Sequence, residues 1–186
     1  SLLAAAGGGG AAAYYERADV IGAAGDFVTA PEISQCFGEL LGLVLADAWR
    51  SGGAPDPFVL AELGPGTGAL MADLWRAVGV VGGFREAARP YLVERSGRLR
   101  ARQRERLGAA PAVSFVDAVE ALPEGPLFVV ANEFLDALPA HQLVRRAGGW
   151  RERRVGLDPM GRPTWLETPA PDALAAAAGA RFPQAA

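Results

Sequence analysis

The sequence predicts an α/β fold built on a doubly wound parallel sheet. Three observations carry this expectation. Short apolar runs that read as strands alternate with segments of helical periodicity. A glycine-rich loop joins the first strand to the helix after it. The length, 186 residues, suits one domain with a sizeable core.

The elements follow in chain order. Residues 1–13 are low-complexity Ala/Gly and are expected to be flexible. Tyr14-Tyr15 is the first ordered signal, followed by a loop through Gly22 and Gly25. Thr29-Ala30-Pro31-Glu32 opens a helix: Thr29 can cap it, Glu32 can complete a capping box, and Pro31 suits the first turn. Ile33, Phe37, Leu40, Leu41, Val44, Leu45 and Ala48 recur at helical spacing as its apolar face, which would place Cys36 near the core. The Gly/Pro-rich stretch Ser51–Pro57 ends it.

Phe58–Leu63 reads as a buried strand and Gly64–Gly68 as a tight loop. A helix is expected over Ala69–Val78, and strands over Tyr91–Glu94, Val113–Asp117 and Leu127–Ala131. Ser96 caps a helix running to Leu107. After Pro139 the pattern changes. Gln142–Arg145 and Trp150–Val155 flank Gly148-Gly149 as a hairpin. Asp158-Pro159-Met160-Gly161 has turn chemistry, and Thr164–Leu166 is one more strand. Residues 168–186 read as a Pro/Ala-rich tail with one short helix.

Composition excludes several classes of function. The net charge of -3 disfavours a non-specific nucleic-acid binder. All 18 basic residues are Arg, which with the heavy use of Ala and Gly suggests a GC-rich, bacterial genome. One cysteine, Cys36, excludes an intramolecular disulfide, and one Cys with one His, His141, argues against a structural metal site. No apolar run reaches membrane-spanning length and no basic leader is recognised, so a cytoplasmic setting is expected. The arginine-dense stretch from Arg95 to Arg106 reads as a solvated helix face.

The chemistry is carried by Glu62-Leu63-Gly64-Pro65-Gly66-Thr67-Gly68, between a strand and a helix. Glycines allow positive φ and close approach of a ligand, and a helix N-terminus offers free N–H groups. The loop reads as Gly-x-Gly-x-Gly, or as the dinucleotide pattern Gly64-x-Gly66-x-x-Ala69. Glu62 favours the first reading, because a carboxylate there suits the cationic methionyl part of S-adenosylmethionine and repels a pyrophosphate. A P-loop is excluded by the absence of Lys. Glu94, at the end of the second strand, can accept from two ribose hydroxyls in either cofactor. Asp117 can meet an adenine amino group or cap a helix. Asn132, Glu133 and Asp136, in Asn132-Glu133-Phe134-Leu135-Asp136-Ala137-Leu138-Pro139, follow the fourth strand at the expected crevice, where a carboxylate could orient a guanidinium. His141 can be read as a general base or as a structural or exposed histidine.

Tyr14-Tyr15, the stretch Gly25-Asp26-Phe27-Val28-Thr29-Ala30-Pro31-Glu32-Ile33-Ser34-Gln35, the loop Glu62–Gly68 and the stretch Asn132–Pro139 together resemble the MidA-like methyltransferases, which include the mitochondrial complex I assembly-factor protein arginine methyltransferase. The resemblance spans about residues 14–158 and implies a class I, Rossmann-like methyltransferase domain with a β-hairpin insertion. Relatives continue past the position of Ala186, so a partial domain over 14–167, truncated on its C-terminal side and with an exposed sheet edge, is expected.

The resemblance further implies S-adenosylmethionine as cofactor, with Gly25, Asp26 and Phe27 at the pocket beside Glu62, Gly64, Gly66, Gly68, Glu94 and Asp117. It also implies a protein substrate bearing arginine, with a respiratory-complex subunit as one candidate, and a mitochondrial matrix setting in a eukaryote. Asn132, Glu133 and Asp136 are the candidate catalytic residues, and no metal is called for. An oligomer is compatible with the sequence. Two alternatives stay open: an NAD-linked oxidoreductase, and a non-catalytic assembly module that retains the fold.

Overall fold

The computed structural model describes residues 30–108, 112–136 and 138–183. They form two compact units, one within residues 30–136 and the other within 138–183. In the first, helices α1 (Ala30–Ile33) and α2 (Gln35–Ser51) precede strand β1 (Phe58–Leu63). Then come α3 (Ala69–Ala77), α4 (Phe84–Ala87), β2 (Ala88–Val93), α5 (Gly97–Leu107), β3 (Ser114–Val116) and β4 (Leu127–Val130).

The four strands form one parallel sheet in the order β3-β2-β1-β4. Five consecutive residues of β1, Phe58–Glu62, are buried regardless of the side they face, so both faces of the sheet are covered there. Register places Glu62 beside Leu92 and Val130, which brings the carboxyl ends of β1, β2 and β4 to one edge. The core gathers Leu60, Leu70, Met71, Leu74 and Leu92 with an aromatic group of Trp49, Phe58, Phe84 and Phe128 whose neighbouring ring centroids lie 5.0–5.9 Å apart. Burying each such side chain stabilises by about 1.5–3 kcal/mol. Among the described residues strand β4 pairs only with β1, and Leu127 and Val129 on it are exposed.

Strand β2 starts at Ala88, earlier than the Arg89-Pro90 pair suggests. Pro90 is tolerated because β3 pairs with Tyr91–Val93 only, so at Pro90 the strand has a neighbour on one side.

The first helix differs most from expectation. Thr29 lies outside the described residues, and the helix breaks after Ile33 and restarts with Ser34 as N-cap, its hydroxyl accepting from the Cys36 N–H. The predicted apolar face is turned outward in large part: Ile33, Phe37, Leu40 and Val44 are exposed, Ala48 and Cys36 too, while Leu41 and Leu45 pack on the core. The buried face is Gly38, Gly42, Ala46 and Trp49. The reason is close helix packing. A Cβ on Gly38 would come within 2.7 Å of the Asp73 Cβ, and one on Gly42 within 2.9 Å of the Leu74 carbonyl. Small residues there let α2 lie against the α3 backbone, which outweighs the periodicity of the larger side chains.

The second unit is an antiparallel sheet in the order β5-β6-β7, with β5 Gln142–Arg146, β6 Gly149–Leu157 and β7 Pro163–Pro169, followed by α6 (Asp172–Arg181). The expected hairpin is present, with Gly149 at φ +113°, and a third strand extends it. The Asp158 turn closes through Gly161 N–H to the Asp158 carbonyl at 2.9 Å, while the Asp158 carboxylate accepts from the Met160 and Arg162 N–H groups. Trp165 is exposed under the Arg153 guanidinium, and Trp75 and Trp150 are partly buried. No described helix is long and apolar enough to cross a membrane.

Candidate functional site

Strand β1 ends at a buried carboxylate. Glu62 is 4% exposed, and its Oε2 has no hydrogen-bond partner among the described residues. Burial in an apolar surround pushes its pKa up to about 8, and the Met71 backbone N–H, which favours the ionised form, offsets only part of this. A buried acceptor left unpaired is costly, which makes Glu62 a site where a cation or a donor would be welcome.

The chain then turns through Gly64, Gly66 and Gly68, all at positive φ (+62°, +53° and +82°), where a side chain would be strained. Gly68 precedes α3 and supplies no side-chain cap, while Glu62 draws on the Met71 N–H of the first turn; a helix N-terminus favours a negatively charged ligand group. Gly64 also lies under Phe134: a Cβ there would meet the Phe134 ring at 2.7 Å. That contact brings the glycine loop and the Asn132–Asp136 loop together. Within the second loop, Glu133 has φ +50°, an uncommon conformation for a residue with a side chain. Glu133 and Asp136 are exposed and Asn132 is half-buried.

Glu94 follows β2. Its Oε1 accepts from the Ser96 N–H at 2.8 Å, and its Oε2 lies 3.5 Å from Gln103 Nε2. Asp117, just past β3, is exposed and accepts from Arg100 at 2.8 Å. It caps no helix: the short turn at Val119–Ala121 has no side-chain cap. Glu62, Glu94, Asp117 and Asn132 therefore stand at the carboxyl ends of the four parallel strands, the edge where open α/β sheets bind ligands. Gly25, Asp26 and Phe27 lie outside the described residues.

Comparison with known proteins decides the family. A family model described as "Putative S-adenosyl-L-methionine-dependent methyltransferase" matches residues 40–184. The chain belongs to this methyltransferase family. It is 37% identical over 168 residues to the mitochondrial protein arginine methyltransferase NDUFAF7 of Xenopus laevis, covering 78% of this chain and 38% of that protein. The corresponding human protein is 35% identical over the same length, with the same two coverages. A Burkholderia thailandensis crystal structure bound to S-adenosyl-homocysteine superposes with a TM-score of 0.62 at 38% identity, covering 87% of this chain and 43% of that one. The chain thus spans about two fifths of the length of the curated relatives it matches.

Against this methyltransferase frame, several site features escaped sequence reasoning. Gln103 is fully buried and donates to the Gly66 carbonyl at 2.7 Å. Thr67, inside the glycine loop, donates its hydroxyl to Glu32 and accepts from Arg106 at 2.8 Å. Glu32 accepts from Thr67 and Arg106 through one carboxylate oxygen, and the capping box expected with Thr29 lies outside the described residues. The signal was present as Arg100, Gln103 and Arg106, three residues apart on one helix. The rest of the arginine-dense face is solvated as expected: Arg95, Arg98, Arg102 and Arg104 are exposed, and Arg106 is exposed while it bonds Thr67 and Glu32. His141 lies in the second unit, its Nδ1 2.6 Å from the buried Glu152 carboxylate.

Proposed function

We propose that this chain carries the cofactor-binding half of an S-adenosylmethionine-dependent methyltransferase that modifies arginine in a protein. The observation that carries the reading is the buried, unpaired Glu62 oxygen at the end of β1, beside a glycine loop and the N-terminus of α3. These residues fit the cofactor: an ammonium group supplies what Glu62 lacks, and the loop backbone leaves room for close approach. When bound, S-adenosylmethionine supplies an electrophilic methyl group on a sulfonium that is already a good leaving group.

The chain's residues then bind, orient and exclude water. Glu62 accepts from the methionyl ammonium, and the N–H groups of the glycine loop and the first turn of α3 hold the carboxylate end. Glu94, with one oxygen fixed by Ser96, accepts from the ribose hydroxyls. Asp117 lies on the adenine side, with Arg100 setting its direction. Gly25, Asp26 and Phe27 join the pocket by family resemblance. Asn132, Glu133 and Asp136 face the acceptor: a carboxylate oxygen of Glu133 accepts from a guanidinium N–H, aims the nucleophilic nitrogen and takes up the proton that methylation releases.

Relatives named protein arginine methyltransferases support arginine as acceptor. A respiratory-complex subunit as substrate, self-association, and a bacterial cytoplasmic or mitochondrial matrix setting rest on the resemblance, with the mitochondrial relatives favouring the matrix for a eukaryotic member. The oxidoreductase alternative finds no support among the relatives.

Calorimetry with S-adenosylhomocysteine and NAD tests the pocket. Saturable binding of the former alone, lost in Glu94→Ala, is expected; binding of NAD alone would overturn the reading. Glu133→Gln should lower the methyl-transfer rate roughly 10²-fold with a less than about twofold change in cofactor affinity. Equal losses in rate and affinity would remove Glu133 from the acceptor side.

A further inference from the structure

Helix α5 contributes three polar side chains to the site, and each leaves the helix toward a different loop. Arg100 donates from Nε to the Glu94 carbonyl at 2.7 Å and from Nη2 to Asp117 at 2.8 Å. Gln103 donates from Nε2 to the Gly66 carbonyl at 2.7 Å, with the Glu94 carboxylate 3.5 Å away. Arg106 donates to the Thr67 hydroxyl at 2.8 Å and to Glu32 at 3.2 Å. At positions three apart they form one stripe along the helix.

Gln103 is the centre of this stripe and is wholly inaccessible to solvent. It lies against the glycine loop, since a Cβ on Gly68 would meet the Gln103 side chain at 3.3 Å. Its Oε1 is buried without a partner. Packing alone does not select such a side chain, because a methionine would fill the space without an unsatisfied acceptor. What the amide supplies is a donor for two acceptors on opposite halves of the pocket: the backbone of the loop that takes the methionyl end, and the carboxylate that takes the ribose.

We infer that Gln103 is a positioning residue that couples the glycine loop to the ribose carboxylate, with Arg100 and Arg106 extending the brace to Asp117 and to Glu32. Cofactor affinity then depends on a side chain that touches the cofactor nowhere. The inference rests on the methyltransferase reading of the pocket and adds to it the device that sets Glu94 and Gly66 relative to each other.

The test is calorimetry on the protein with two probes, S-adenosylhomocysteine and its analogue lacking both ribose hydroxyls, together with thermal unfolding without ligand. Gln103→Met keeps the length and removes the donor. It should weaken binding of S-adenosylhomocysteine about tenfold, with less than about a threefold loss on the dideoxy analogue and no fall in the unfolding midpoint. A filler role would lower the midpoint and weaken both probes alike, and that outcome overturns the inference. So does unchanged affinity for both probes, which would leave the pocket reading standing. Arg106→Leu, at a partly exposed position that tolerates substitution, should weaken S-adenosylhomocysteine about threefold; no change there confines the brace to Gln103 and removes its extension to Glu32. Failure of the unsubstituted protein to bind S-adenosylhomocysteine would overturn the pocket reading, and this inference with it.

Discussion

Among the described residues the two units hold one hidden glutamate each and treat it in opposite ways. In the parallel unit Glu62 is 4% exposed, lacks a cationic partner among those residues, and has its pKa pushed up to about 8 by burial. In the antiparallel unit Glu152 is 5% exposed, yet its pKa is lowered, because His141 and Arg154 both hydrogen-bond its carboxylate. Its neighbours Glu167 and Asp158 are also lowered, chiefly by Arg146 and by the Arg162 backbone N–H. Burial alone therefore does not mark a functional carboxylate. A hidden carboxylate with its partners present belongs to the structure of the sheet; a hidden carboxylate without them is waiting for a ligand.

The largest expected effect tests that contrast at Glu62. Glu62→Gln should weaken S-adenosylhomocysteine binding by about 10- to 100-fold, the scale of a lost charged hydrogen bond. The same substitution should stabilise the ligand-free protein at alkaline pH. With a folded pKa raised from 4.5 to about 8, the stability tied to the protonated carboxyl is fully present below pH 4.5 and is lost as pH rises through about 8. Glutamine cannot ionise, so the variant's unfolding midpoint should stay flat over the window where the parent's falls. Binding to the parent below about pH 8 should also release a proton, read by calorimetry in buffers of different ionisation enthalpy. A variant that binds as tightly as the parent would sink the contrast.

How much of this was legible in advance follows from what each signal measures. The buried strands were, because a run such as Phe58–Leu63 between Gly/Pro punctuation has few alternatives. The glycine loop was, because positive φ at three alternating positions demands glycine. The inward face of α2 was not: periodicity counts large apolar side chains, whereas the contact with α3 is made by Gly38 and Gly42, whose value lies in having no side chain. The α5 stripe was hidden for a related reason. A helix with arginines at alternate positions looks solvated, and only the fold brings Gly66, Thr67, Asp117 and Glu32 within reach of three of its residues. The unpaired state of Glu62 is a tertiary fact as well, since sequence shows a carboxylate at a strand end but not the absence of a partner.

The same Glu→Gln change in the antiparallel unit should have the opposite sign. Glu152→Gln removes one side of the contacts to His141 and Arg154 and should lower the unfolding midpoint at neutral pH by about 2–4 °C. A lowered folded pKa contributes stability that is present above pH 4.5 and is lost as pH falls through the folded value. The difference between parent and variant should therefore shrink in acid, whereas at Glu62 it grows in alkali. A Glu152→Gln protein more stable than its parent at pH 7 would show that desolvation outweighs the hydrogen bonds from His141 and Arg154, and that the units do not differ as argued.

The smallest effect is expected at Arg146. Its guanidinium makes a two-point contact with Glu167, at 3.0 and 2.5 Å, and Glu167 is also approached by Arg151 at 3.9 Å. By distance alone this pair resembles the two-point contact of Arg154 with Glu152, at 2.9 and 2.5 Å. The Glu167 side chain is 29% exposed, however, against 7% for Glu152, so water and salt screen the attraction more fully and holding two long side chains in one geometry opposes it. Arg146→Ala should therefore shift the unfolding midpoint by less than about 1 °C, and the shift should vanish at 1 M salt, while the Glu152→Gln effect persists because its carboxylate is shielded from the solvent ions. A shift at Arg146 as large as that at Glu152 would mean that contact geometry, and not burial, sets what an ion pair contributes in this sheet, and the contrast drawn between Glu62 and Glu152 would then have to rest on partner count alone.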